Sequence, residues 1–228
     1  MCIRNWPIIV IATFLAANVS TKASLPGQTI IYSDFGAGLT YGTSVVWGVE
    51  GASLSSGYRG QAQYFTPSFD CYLSYAELAT YHQSGSPLSN FFIAADNGSG
   101  APGTILESFA NVTTPTGLLT LTSLQNPLLT AGTTYWLGME PGANNTLNGW
   151  FENNQNVEPA FAFERSQGGW TGFGPPSPPA GTFEIVAAPV PEPSAAGLLI
   201  FGAIGFARSR SLRRFIGGSS AGPVNLAR

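Results

Sequence analysis

Apolar and polar residues alternate with period two in many short runs of this chain, the pattern of strands with one buried face. In Ala160-Phe161-Ala162-Phe163-Glu164-Arg165 both phenylalanines fall on one face. In Thr134-Tyr135-Trp136-Leu137-Gly138-Met139-Glu140 the same holds for Tyr135, Leu137 and Met139, and Phe183 and Ile185 repeat the pattern. Further strands are predicted over Thr29–Ser33, Ser44–Val49, Gln61–Thr66, Cys71–Tyr81, Phe91–Asp96, Ile105–Phe109, Leu118–Leu124 and Leu147–Glu152. Turn-forming residues punctuate them at Asn97-Gly98, Ala101-Pro102-Gly103, Ala131-Gly132, Pro141-Gly142 and Asn148-Gly149. No amphipathic segment of helix length precedes residue 190, and no solenoid repeat is visible. Short strands spaced by about 8–12 residues predict an all-β fold, a jelly-roll-like antiparallel β-sandwich. Gly168–Ala180, with its run Pro175-Pro176-Ser177-Pro178-Pro179, reads as a long irregular loop, and Ala187–Val190 as the start of a tether.

The alternation stops at both ends. Arg4 forms a short basic region, Trp6–Ala17 an apolar one, and Thr21-Lys22-Ala23 a small-residue cleavage site. Residues 1–23 therefore read as a signal peptide, with Ser24 as the first mature residue. Cys2 stands too early to be a lipoprotein cysteine. At the other end, Val190-Pro191-Glu192-Pro193-Ser194 opens an apolar run to Ala207, and Arg208, Arg210, Arg213 and Arg214 follow. The two prolines stop regular structure and Ser194 can cap a helix. Ser194–Ala207 holds no charge over 14 residues, about 21 Å of helix against a hydrocarbon core of about 30 Å. Snorkelling arginines recover part of the deficit and keep their end cytoplasmic, so a short C-terminal transmembrane helix is expected. The competing reading, a buried core helix, lacks the polar face such a helix needs. Residues 216–228 are small, polar and Gly-rich and are expected to be disordered.

The order of Pro191-Glu192-Pro193, apolar run and arginine cluster, over residues 190–215, resembles the PEP-CTERM sorting signal of Gram-negative bacteria. The resemblance implies export, a transient stay at the inner membrane, processing by an exosortase-type enzyme, and release to the cell surface or an exopolysaccharide matrix.

Between these segments, residues 24–189 have the length of one domain. They carry eleven acids and two bases, Arg59 and Arg165, and no lysine. The domain is about nine units negative, which disfavours nucleic acid as a partner. Cys71 is its only cysteine, so no internal disulfide forms, and in an oxidising compartment a lone thiol is expected to be buried.

A second resemblance runs through the domain over roughly residues 30–187. Phe65-Thr66-Pro67, Leu73-Ser74-Tyr75-Ala76-Glu77-Leu78, Phe92-Ile93-Ala94-Ala95-Asp96, Ala101-Pro102-Gly103-Thr104-Ile105-Leu106 and Leu129-Thr130-Ala131-Gly132-Thr133-Thr134-Tyr135-Trp136-Leu137 occur in that order. The string is similar to the extracellular choice-of-anchor domains, most of all type R. That family implies a β-sandwich and a surface location and brings no catalytic residues.

Candidate chemistry is sparse. The single histidine, His82, would have to be the base of any Ser–His–Asp triad, and its setting before Gln83-Ser84-Gly85 reads as a solvated loop. One histidine and one cysteine cannot close a zinc site. Glycoside hydrolysis needs two carboxylates, for which Glu140, Glu152 and Glu158 are the candidates. Asp96-Asn97-Gly98-Ser99-Gly100 offers oxygen ligands for calcium, centred on Asp96, or else an Asx-turn closing a hairpin. Four tryptophans remain in the domain, Trp47, Trp136, Trp150 and Trp170. Trp47 and Trp136 lie in apolar strands and are expected in the core. Trp150, beside Asn148, Asn153 and Asn154, and Trp170, in a Gly-rich stretch, are candidate sugar-stacking platforms, with an inter-sheet plug as the alternative for Trp150. The resulting expectation is a non-catalytic, exported surface or matrix protein without a required cofactor. A cell-surface carbohydrate-binding module is the alternative, and a glycoside hydrolase the third reading.

Overall fold

A computed structural model describes residues 27–165, 169–174 and 181–190. Residues 1–26, read above as a signal peptide and the start of the mature chain, residues 166–168, residues 175–180 with the run Pro175–Pro179, and residues 191–228 with the segment read as a sorting motif and arginine cluster lie outside the described residues. Among the described residues no helix is long and apolar enough to cross a membrane.

Every described element is a strand: β1 Thr29–Ser33, β2 Val46–Glu50, β3 Gly60–Phe65, β4 Cys71–Ser84, β5 Leu88–Asp96, β6 Pro102–Thr113, β7 Gly117–Thr122, β8 Leu128–Leu129, β9 Tyr135–Pro141, β10 Leu147–Phe151, β11 Phe161–Glu164, β12 Trp170–Phe173 and β13 Phe183–Pro189. They form two antiparallel sheets. The first runs β1-β13-β4-β10-β2, with β7 and β8 also pairing β4, and the second runs β12-β11-β3-β9-β5-β6. The first and last strands are neighbours, with Thr29 opposite Ala187, and β13 also pairs β4, with Pro189 opposite Cys71.

Period two explains the layers. Along β3, Phe65 joins a core that it shares with Leu73, Leu78, Trp150 and Phe183 of the first sheet, whereas Ala62 and Tyr64 belong to a second apolar cluster on the opposite face. Along β9, Tyr135, Leu137 and Met139 enter the shared core and Trp136 the second cluster. Two polar side chains sit between the layers with their bonds made: Gln61 Nε2 donates to Gly48 O (2.9 Å), joining β3 to β2. Buried Glu107 accepts from Ser123 Oγ (2.5 Å) and from the Leu124 and Gln125 amides (2.6 and 3.2 Å).

Four local expectations are corrected. Trp170–Phe173 is a strand rather than part of an irregular loop, because it pairs with β11 and Phe173 stacks on Phe161 at 5.1 Å. The glycines around it hide the alternation. Pro102 opens β6 instead of a turn, where its missing N–H is tolerated on a strand's first residue. Asn148-Gly149 lies mid-strand in β10. His82 is on β4, not in a loop. Cys71 is fully buried, as expected.

Candidate functional site

The chemistry gathers on the outer face of the second sheet. Gly60 lies opposite Glu164, and Glu164 opposite Trp170, across three adjacent strands, β3, β11 and β12. On the other side of β3, Gln61 pairs with Met139, which brings Glu140 beside Gly60. With no side chain at Gly60, the carboxyls of Glu140 and Glu164 meet across it. A Cβ there would lie 3.2 Å from Glu164 Oε2, 3.2 Å from Trp170 Cη2 and 3.4 Å from Glu140 Cγ. The Glu140 and Glu164 carboxyls and the Tyr58 phenol lie close enough to shift one another's protonation. Glu164 is buried and its Oε1 accepts the Gly169 amide (3.2 Å).

Burial first, then the charge and hydrogen bond of Glu164, raise the Glu140 carboxyl from 4.5 to about 7. Burial, with the two glutamates adding to it, pushes the Tyr58 phenol up as well, so Tyr58 stays a neutral donor. The cluster thus holds a proton near neutrality. Of the three acids singled out in the sequence, only Glu140 belongs to the pair. Glu152 lies at the end of β10, its carboxyl raised by burial and held down by a bond to Trp47, and Glu158 is exposed on the segment before β11.

For Trp150 the inter-sheet-plug reading holds and the ligand-platform reading falls. Trp150 is 0 % exposed and its Nε1 donates to Thr182 O (2.8 Å). Gly181 packs against its indole so closely that a Cβ could not be accommodated. It is an inter-sheet plug and offers no face to a ligand. The amides beside it are likewise engaged. Asn148 Nδ2 donates to Ser89 Oγ (2.8 Å) while its Oδ1 accepts from His82 Nδ1 (2.8 Å). Asn153 Nδ2 donates to Val157 O (2.9 Å). Asn154 and Gln155 bond each other. Trp170 is half-buried on β12 and meets Phe92 edge-on at 5.6 Å, and it is the one of the two platform candidates that keeps an accessible flank. Trp136 is buried as expected, and Trp47 is partly buried against Phe161 and Phe163.

Asp96 is committed on both oxygens. Oδ1 accepts the Gly98 amide (2.7 Å), closing the Asx-turn, and Oδ2 accepts Trp136 Nε1 (2.8 Å). No group of three or more His, Cys, Asp or Glu placed to hold a metal occurs among the described residues. Burial pushes the Cys71 thiol up to about 11, so it is not a nucleophile at neutral pH. Pro191, Glu192 and Pro193, with Arg208, Arg210, Arg213 and Arg214, fall outside the described residues.

Glu164, Tyr58 and Gly60 carry no sequence signal that joins them to Glu140. Gly60 and Glu140 are 80 positions apart, and only strand order places them side by side. In comparisons with known proteins, no family model matches the chain and no curated protein matches it.

Proposed function

We propose that this chain is an exported, non-catalytic surface or matrix protein, built on a jelly-roll-like sandwich and processed by an exosortase-type enzyme at its C-terminal segment. The observation that carries this reading is the order of three parts after the domain: Pro191-Glu192-Pro193, an uncharged apolar run to Ala207, and Arg208, Arg210, Arg213 and Arg214. In this reading the run forms a short membrane helix and the arginines halt transfer. The signal-peptide pattern of residues 1–23 agrees with it, as does a domain whose bases are scarce outside the two end segments. Val190 alone separates the last strand residue, Pro189, from the motif, so a cut there would leave the β-domain whole. Replacing Pro191-Glu192-Pro193 by three alanines in the native host is expected to leave an uncleaved, membrane-retained form, seen by fractionation and intact mass. Unchanged processing would refute the proposal.

A second reading, a carbohydrate-binding module, is favoured by Trp170, a half-buried indole lying over a side-chain-free position beside hydrogen-bonding acids. Trp170→Ala is then expected to abolish retention on host polysaccharide while leaving the fold intact by circular dichroism. Retention equal to that of the unaltered protein would remove this reading.

A further inference from the structure

The hairpin of β11 and β12 has a second face, opposite the one that carries Trp170. There Phe163, Arg165, Gly169, Thr171 and Phe173 line a pocket of about 300 Å³, at the small end of ligand sites. Its walls are aromatic. Phe173 is 45 % exposed, meets Phe163 at 5.8 Å edge-on, and stacks on Phe161 at 5.1 Å, and Trp47 backs Phe163 at 5.6 Å. The pocket's polar groups are one guanidinium and one hydroxyl, from Arg165 and Thr171. The other arginine of the domain, Arg59, is bound to Glu50 (3.1 Å). Arg165 makes no ion pair with another described residue. The pocket therefore joins apolar ring faces to a planar fork of N–H donors that has no ion pair among the described residues, and such a fork matches a carboxylate in two hydrogen bonds.

We propose that this pocket binds a pyranose bearing a single carboxylate within an otherwise neutral glycan, the sugar's C–H face on Phe163 and Phe173 and its carboxylate on Arg165. Two fields of opposite sign set the class. Close to Arg165 the attraction for one carboxylate is strong. Beyond the Debye length of about 8 Å the remaining field is screened, but a dense polyanion would lay several charges along a domain about nine units negative. An isolated carboxylate satisfies the cation without that repulsion. The site is independent of the Trp170 reading, which uses the opposite face of the same strand.

The test titrates the full chain, by calorimetry in matched buffer, with a glucuronic-acid-substituted xylotetraose, with unsubstituted xylotetraose and with polygalacturonate. The substituted tetraose is expected to bind at least about tenfold more tightly than either of the others, and more weakly as salt rises. Arg165→Gln is expected to remove that preference, and Phe173→Ala to weaken both xylotetraoses. Circular dichroism and the melting temperature confirm that each variant folds. Trp170→Phe, which keeps an aromatic ring against Phe92, is expected to leave the preference unchanged. Equal affinity for the charged and neutral tetraoses, no binding of either, or a preference that survives Arg165→Gln would overturn the proposal. A preference lost in Trp170→Phe but retained in Arg165→Gln would overturn it too, in favour of the opposite face.

Discussion

Two tryptophans that look alike in the sequence do opposite things in the fold. Trp150 fills the space between the sheets and bonds Thr182, whereas Trp170 sits on a short outer strand with part of its ring in solvent. Trp150→Ala removes the largest side chain at that point of the core and takes one of two donors, the other being the Ala79 amide (3.1 Å), from the Thr182 carbonyl. It is expected to cost about 3–5 kcal/mol of stability, read as a lower urea midpoint, with Trp170→Ala costing much less. A similar midpoint for the two variants would contradict the burial difference. The sequence places Trp150 in a predicted strand and Trp170 in a Gly-rich stretch, but whether either indole is sealed depends on which sheet lies over it.

At the scale of elements, period two was enough to place most strands and their faces. Thr29–Ser33 is a strand over its predicted span, and the inward sets Tyr135-Leu137-Met139 and Phe183-Ile185 both enter the shared core. The failures share a cause. β12 holds only Trp170–Phe173, too short for periodicity, and is stabilised by aromatic pairing with β11 that local sequence does not display. Asn148-Gly149 has turn chemistry, yet β10 runs through it. Its Asn148 side chain is satisfied by His82 on the adjacent β4 and by Ser89 on β5 of the other sheet, and that takes the place of the local backbone bonds a turn would make. The strand order also creates the acid pair. Glu140 and Glu164 sit on β9 and β11, and β3 between them offers Gly60, so two carboxyls from strands that do not pair with each other come close enough for one to shift the other's protonation.

For the whole molecule, buried carboxyls give stability a defined slope with pH. Burial raises Asp34 from 3.8 to about 7, against the lowering effect of the Phe183 amide that donates to its Oδ1 (2.7 Å). Glu140 is raised to about 7 by burial and Glu164. Both groups bind protons more tightly folded than unfolded. Their contribution is therefore complete below the unfolded values near 4 and is lost as pH rises through about 7. The domain is expected to resist urea better at about pH 5 than at about pH 8, with Glu140→Gln and Asp34→Asn each flattening part of the difference. Equal midpoints at the two pH values, or a slope untouched by both variants, would show that these carboxyls titrate normally. Asp34 clamps the end of β1 to the start of β13 through paired backbone and side-chain bonds, so the part of the slope that Asp34→Asn removes reports on the joint between the first and last strands.

What belongs to the amino-acid sequence alone is its all-β character, the identity of the inward-facing residues, the acid excess, and the inert, buried Cys71. Each follows from alternation or composition, quantities that a linear chain carries in full. Which acids meet, which tryptophan is sealed, and where Arg165 stands relative to Phe173 were decided only in three dimensions. Alternation assigns a side chain to one of two faces. Strand order and the packing of one sheet on the other then determine its neighbours, and those contacts join residues far apart in the chain.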